Sequence, residues 1–178
     1  LQIRGVTPQG HARLLPALAA LDLLDADPAR EHRRSILTTP FWGAGDLTDR
    51  LGAAVLRALD ALPALPAKVG IAIDTGPAPI LSDDPADFRL ERSAEGLILR
   101  ADGHALGRPV TEATAPAALI EMAWWFERHR DDQSRRMASV VARHKLPEGW
   151  ATTPPRPPQP EPGPGATPAG ALLGAPFG

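Results

Sequence analysis

The stretch that decides the fold is DLTDRLGAAVLRALDALPALPAKVGIAID, residues 46–74, which predicts one amphipathic helix followed by one strand. Asp46 and Asp49 fall in the predicted first turn, where carboxylates favour the positive end of the helix dipole. Apolar residues recur at helical spacing and form an unbroken stripe: Leu47, Leu51, Ala54, Val55, Ala58, Leu59 and Leu62. Pro63 and Pro66 end this helix, because proline cannot continue the hydrogen-bonding pattern.

The strand predicted at residues 68–74 has one bulky face and one small face. Successive side chains of a strand point to opposite sides, so Val69, Ile71 and Ile73 share a face. The opposite face carries Lys68, Gly70 and Ala72. Such small residues leave room for a flat ligand, and a lysine at the edge of that face can pair with a carboxylate.

Further strands and helices are predicted on both sides of this stretch. Strand-like runs occupy residues 35–39, 87–92, 97–101 and 105–110. Helices are expected from Thr7-Pro8, from Asp27-Pro28, from Thr114 and over residues 134–145, the first two because a capping residue precedes proline. This order predicts an α+β fold, with helices packed on a mixed sheet.

The chain divides into four expected parts. Residues 1–27 end a half-domain, with LQIRGV as the middle of a strand, and residues 28–148 form the α+β domain. Residues 149–170 are an extended linker, since eight of the 21 prolines lie between 152 and 168, and residues 171–178 start another half-domain. We therefore expect both ends to continue into further N- and C-terminal parts of the same protein.

Composition excludes several classes of function for this segment. The formal net charge of -2 gives no global field for nucleic acid or an acidic membrane, so we expect neither as a partner. We expect no membrane-spanning segment and a cytoplasmic location. The sequence has no cysteine, which excludes disulfides, thiolate zinc sites and iron–sulfur ligation by this segment. The five histidines are scattered without metal-ligand spacing.

Basic residues beside predicted strands are the candidate binding residues. They are Arg4, the pair Arg33 and Arg34, and Lys68. Arginine binds carboxylates and oxyanions with two parallel hydrogen bonds, which orients as well as attracts an anionic ligand. The alternative is structural: Arg33 and Arg34 fall where a helix would end, and Lys68 can extend into solvent at a strand edge.

Four segments, in this order, resemble the nitrite/sulfite reductase superfamily, and most closely its precorrin-3B synthase branch. They are LQIRGV (1–6), RSILTTP (34–40), LPAKVGIAID (65–74) and GALLGAPFG (170–178). The resemblance implies a nitrite/sulfite reductase-like domain at residues 28–148, between ferredoxin-like halves. It also implies that Arg4, Arg34 and Lys68, with the adjacent Arg33, bind tetrapyrrole carboxylates or an oxyanion.

Two positions depart from the pattern of the reductases in this superfamily. Gly70 stands where they usually carry a second polar or basic residue, and Ser35 stands where many relatives have asparagine. Gly70 favours the synthase branch over sulfite reduction, and with Ala72 it lines the expected ligand face. No catalytic residue and no metal ligand is assigned within this segment.

What the resemblance implies for function is an oxygen-dependent monooxygenase of aerobic cobalamin biosynthesis. The full-length enzyme would hydroxylate precorrin-3A and close a lactone, using a 4Fe-4S cluster bound by residues outside this chain and an electron donor. This segment alone would be inactive. Two alternatives stay open: part of a nitrite or sulfite reductase with siroheme or iron, and a non-catalytic binding or assembly module.

Overall fold

A five-stranded mixed sheet organises the protein. The computed structural model describes residues 3–158, together with the backbone of residues 165–167 and 170–172. The strands are β1 (Ile36–Thr38), β2 (Ile71–Asp74), β3 (Phe88–Arg92), β4 (Leu97–Ala101) and β5 (Arg108–Val110). They lie in the order β1-β2-β3-β4-β5. β1 pairs with β2 and β2 with β3 in parallel, whereas β3 pairs with β4 and β4 with β5 antiparallel. The predicted α+β class is confirmed, while the superfamily fold stays a prediction.

The helices begin where the capping signals predict. They are α1 (Pro8–Ala20), α2 (Pro28–Arg33), α3 (Leu47–Ala58), α4 (Ala115–His129) and α5 (Met137–Val141), with a 3-10 helix (Leu59–Ala61) extending α3. The side chains of Thr7, Asp27 and Asp46 each accept a hydrogen bond from a first-turn backbone N–H. Each bond satisfies a donor that has no partner within the helix, which fixes the start of the helix.

Helices α3 and α4 pack on one face of the sheet, called here the helix face. It is formed by alternate strand residues that are all buried: Ile71, Ile73, Phe88, Leu90 and Leu99. The α3 stripe contributes the fully buried Leu51 and Val55, as predicted. The rings of Phe88 and Phe126 meet edge to face at 6.0 Å between centroids. Burying each such side chain contributes about 1.5–3 kcal/mol to folding.

The opposite face, called here the back face, is polar and nevertheless buried. It carries Ala72, Asp74, Arg89, Glu91, Ile98 and Arg100. Residues 75–87, called here the crossover loop, connect β2 to the parallel strand β3 without a helix. The loop lies against this face, since Arg89 donates hydrogen bonds to the carbonyl oxygens of Leu81 at 2.8 Å and Asp84 at 2.6 Å.

The chain after the α+β domain is held more firmly than a free linker. Residues 154–158 are in no helix or strand, but Thr153 and Gly107 exchange backbone hydrogen bonds at the start of β5. The backbone N–H of Arg156 donates to the carbonyl of Arg92 at 2.8 Å. The backbone of residues 165–167 (β6) pairs with that of 170–172 (β7). The domain boundaries stay predictions, and residues 159–164, 168–169 and 173–178 lie outside the described part.

The opening strand is not found where it was expected. Leu1 and Gln2 lie outside the described residues, and residues 3–6 are not in a strand. Strands need hydrogen-bonded neighbours, and none of the described strands pairs with this segment. Helix α1 follows it and, among the residues described, has no buried side chain.

Three further elements differ from the prediction by three residues or more. β5 begins at Arg108 rather than at residue 105. β2 begins at Ile71 rather than at Lys68, because Lys68 lies in a turn whose backbone N–H donates to Pro66. Helix α5 covers only Met137–Val141 of the expected 134–145. No helix in the described ranges has both the length and the apolar character that crossing a membrane requires.

Candidate functional site

Two of the three predicted cationic segments, those of Arg33–Arg34 and Lys68, lie at the same end of the sheet. Arg34 lies two residues before β1, and Lys68 lies three residues before β2. The two strands are parallel, with Ile36 opposite Ile71, so both residues precede the amino ends of neighbouring strands. The backbone N–H of Ile71 donates to the Ser35 carbonyl at 2.8 Å. We call Arg33, Arg34 and Lys68 the cationic edge.

Arg34 already has protein partners. Its Nη2 donates to the carbonyl oxygen of Asp22, and its Nη1 lies 3.8 Å from a carboxylate oxygen of Glu31 one turn earlier. Arg34 is also the C-cap residue of α2. The structural role weighed in the sequence analysis therefore exists, and the guanidinium keeps further N–H donors for a ligand.

Lys68 and Arg33 are the cations of this edge that are available to a ligand. Lys68 is exposed and Arg33 is half-buried, and neither side chain makes a hydrogen bond or ion pair with a residue that the structure describes. Arg4 lies in the exposed segment before α1. An anion at this edge would therefore meet Lys68 and Arg33 first.

Gly70 and Ala72 do not line an open face. A Cβ atom added at Gly70 would lie 3.3 Å from the Ser35 hydroxyl and 3.4 Å from the Ser35 carbonyl oxygen. Ala72 is fully buried. The expected space for a flat ligand is filled at Gly70 in this conformation, by Ser35 and by the Pro85 carbonyl of the crossover loop, which would lie 3.8 Å from the added Cβ. Their small size serves close packing of the chain on itself.

Buried charges on the back face are the feature that sequence reasoning missed. Glu91 accepts two hydrogen bonds of 2.7 Å from the guanidinium of Arg100. Arg89 donates through Nε to Asp102 at 2.7 Å. The strand FRLER alternates apolar and charged residues, a pattern usually read as one solvated face, and LILRA carries one arginine. Opposite charges on both predicted strands were the available signal.

Asp87 joins three segments at the amino end of β3. Its Oδ1 accepts from Arg136 Nε at 2.9 Å and from the Met137 backbone N–H at 2.8 Å. Its Oδ2 accepts from the Gly70 backbone N–H at 3.1 Å. Asp87 is fully buried and therefore anchors the starts of β2, β3 and α5 to one another.

Asp74 differs from the other buried carboxylates because no cation pairs with it. Its Oδ2 accepts from the backbone N–H groups of Ile80 and Leu81, both at 2.8 Å. Its Oδ1 and the hydroxyl of Thr39 are buried and have no hydrogen-bond partner among the described residues. Burial raises the pKa of the Asp74 carboxyl above its ordinary value, and the two backbone hydrogen bonds oppose that rise.

The part of the chain that the structure describes contains no set of side chains that could bind a metal ion. Among residues 3–158, no group of three or more histidine, aspartate or glutamate side chains could hold a metal ion. A 4Fe-4S cluster needs thiolate ligands, and the sequence contains no cysteine. The residues of this chain therefore do not fit that cluster.

The chain was also compared with known proteins. No protein-family model, no curated protein and no solved structure matches it.

Proposed function

We propose that this chain supplies cationic contacts for the carboxylates of a tetrapyrrole, as part of an oxygen-dependent monooxygenase of the precorrin-3B synthase type. The proposal rests on the order of the four resembling segments and on the cationic edge. In such an enzyme the reaction would be precorrin-3A hydroxylation with lactone formation. The cluster and the electron donor would act outside this chain.

The observation that carries the proposal is the hydrogen bond between Ile71 and Ser35. It aligns the segment after Arg34 with the segment after Lys68, at 2.8 Å between nitrogen and oxygen. Two sequence segments more than thirty residues apart thereby present their basic residues at the same end of the sheet. Several fixed cations are what a ligand with many carboxylates requires, because each charge-assisted hydrogen bond also orients it.

The roles within the cationic edge are unequal. Lys68 and Arg33 contact the carboxylates directly, since neither is engaged by a described residue. Arg34 holds the turn between α1 and α2 through Asp22 and Glu31 and contributes its remaining donors. The binding surface is then the exposed end of the sheet rather than the covered face of β2.

Porphyrin binding to the 178-residue chain tests this proposal. The probe is uroporphyrin, which carries carboxylates on every pyrrole ring, and its methyl ester serves as the uncharged comparison. Each charge-assisted hydrogen bond contributes about 1.5–3 kcal/mol, so the double variant Lys68→Ala/Arg33→Ala should weaken binding by roughly a hundredfold or more. Absorbance titration measures the affinity, and circular dichroism checks the fold.

The matched control is Lys145→Ala. Lys145 is the only other lysine of the sequence, is exposed, and lies after α5 rather than at the cationic edge. Lys145→Ala should change the affinity for uroporphyrin by no more than about twofold relative to the unsubstituted chain, because a distant exposed charge is screened at ordinary salt concentrations. Equal losses in the two variants, or equal affinity for the acid and the ester, would contradict the proposed site.

A second candidate function is the non-catalytic binding or assembly module. The covered state of Gly70 and Ala72 favours it, because a macrocycle has no open sheet face to lie against in this conformation. In that case the unsubstituted chain would not bind uroporphyrin at all. The same titration therefore separates the two candidates.

A further inference from the structure

The buried charges around the back face pair off, except for Asp74. The pairs are Glu91 with Arg100, Asp102 with Arg89, and Asp87 with Arg136. Each pair cancels one negative and one positive charge. An ionised Asp74 would therefore add one uncompensated negative charge to a region that is otherwise neutral. Such a charge is costly to bury, and a carboxyl group in this position tends to keep its proton.

The groups that face Asp74 do not supply a counter-charge. Glu91 lies directly opposite it on β3 and carries the same charge, although Arg100 of β4 neutralises Glu91. Arg89 of β3 is near, but its guanidinium is bound by Asp102 and two loop carbonyls. The crossover loop contributes only the backbone N–H groups of Ile80 and Leu81.

Asp74 Oδ1 has no hydrogen-bond donor in the part of the chain that the structure describes. The backbone N–H of Thr39 donates to the Ile73 carbonyl at 3.1 Å, which continues the parallel register beyond β1 and brings Thr39 beside Asp74. The Thr39 hydroxyl and Asp74 Oδ1 are nevertheless both buried without a hydrogen-bond partner among the described residues, so the two are not bonded to each other. An ionised Asp74 would therefore bury an anionic oxygen that accepts no hydrogen bond, which is costly.

From this geometry we propose that Asp74 is a proton-dependent latch for the crossover loop. With its proton, Asp74 accepts from Ile80 and Leu81 through Oδ2 and buries no charge, so the loop stays closed over the back face. Without its proton, Asp74 is a buried anion beside Glu91. Water then enters to solvate it, and the segment around Ile80 and Leu81 is released.

The latch controls the covered side of β2. The crossover loop buries Leu81 and Ala86, and it lies over the side of the sheet that carries Ala72 and Asp74. Release of the loop would open that side at its Asp74 end. This inference does not depend on the proposed tetrapyrrole binding, because it concerns only the closure of the loop.

Hydrogen exchange of the Ile80 and Leu81 amides tests the latch. In the 178-residue chain, the protection of both amides, corrected for intrinsic exchange, should fall as pH rises through the range where Asp74 loses its proton. Because the latch involves one proton, protection should fall by at most about tenfold per pH unit. In Asp74→Asn, protection should not depend on pH, since the neutral amide accepts and donates like the protonated acid.

Asp83→Asn is the matched control. Asp83 is an exposed acid in the same loop, and its side chain makes no hydrogen bond with a described residue. This variant should keep the pH dependence of the unsubstituted chain. Constant protection in the unsubstituted chain, or an unchanged pH dependence in Asp74→Asn, would overturn the latch.

Two further measurements test the latch even if Asp74→Asn does not fold. The carboxyl carbon of Asp74 can be titrated by NMR in the unsubstituted chain, and titration near the ordinary aspartate value of about 3.9 would overturn the proposal. The amide of Leu99 in β4 is the reference for global opening. If it loses protection together with Ile80 and Leu81, the release is not local and the latch is wrong.

Discussion

Glu91 and Arg100 form a bidentate ion pair across β3 and β4, with both hydrogen bonds at 2.7 Å. Their side chains are only 3% and 13% exposed. Arg100 lies directly opposite Arg89, and like charges in that arrangement repel. Each arginine therefore needs its own carboxylate, and Asp102 serves Arg89.

Removing the Glu91 charge should be strongly destabilising. In Glu91→Gln, Arg100 stays buried without its counter-charge, and breaking a buried pair in this way costs about 3–5 kcal/mol. Urea unfolding measures the loss in the free energy of unfolding. The exposed pair of Arg50 and Glu112 is the control, since it has the same bidentate geometry with side chains 49% and 41% exposed. Glu112→Gln should cost far less than Glu91→Gln, because exposed ion pairs are screened by solvent, and equal costs for the two variants would refute the argument.

The part of the fold that the sequence predicts is the part set by local interactions. The caps at Thr7, Asp27 and Asp46 and the buried stripe of α3 depend on residues within a few positions of each other. Which charged strand residues are buried depends instead on how the crossover loop folds back over β3. That path is set by contacts between distant residues, so the alternation in β3 was compatible with a solvated face.

The candidate site likewise has one part that the sequence predicts and one part that it does not. That Arg34 and Lys68 precede neighbouring strands follows from the strand pattern, and the parallel pairing of β1 with β2 brings them to one edge. The openness of the Gly70 and Ala72 face could not be read from residue size. Small residues accommodate a ligand or a neighbouring backbone equally well, and here Ser35 is the close neighbour of Gly70.

Asp87 should be a second strongly stabilising carboxylate. Asp87→Ala removes the acceptor of three hydrogen bonds, from Gly70, Arg136 and Met137, and leaves two buried N–H groups without partners. We expect a loss of about 3–5 kcal/mol in the free energy of unfolding, measured with urea.

The exposed Asp83 again provides the comparison for that variant. Asp83→Ala should change stability by no more than about 0.5 kcal/mol, as surface substitutions usually do. A loss below about 1 kcal/mol in Asp87→Ala would show that the anchor between β2, β3 and α5 is dispensable.

Stability should respond to pH through Asp74. Burial raises the pKa of this carboxyl in the folded protein. Its protonated form therefore contributes stability that is fully present below the ordinary aspartate pKa and is lost as pH rises through the raised value. Asp74→Asn should consequently be more stable than the unsubstituted chain at neutral pH, with the difference shrinking toward acid. Urea midpoints at several pH values measure this, and a difference that grows toward acid would show that the sign is wrong.

Two glycines should respond to alanine in opposite directions. Gly103 has φ = 81°, and an added Cβ would lie 2.7 Å from Ala138 Cα and 2.8 Å from Ala138 Cβ. Backbone strain and overpacking together should cost Gly103→Ala about 2–4 kcal/mol, because α5 must move away from the turn after β4. Gly52 lies inside α3 with nothing within 4 Å of an added Cβ. Gly52→Ala should therefore stabilise the protein by about 0.5–1 kcal/mol through helix propensity. Thermal and urea unfolding of both variants measure these effects, and a stabilising Gly103→Ala would contradict the close approach of α5.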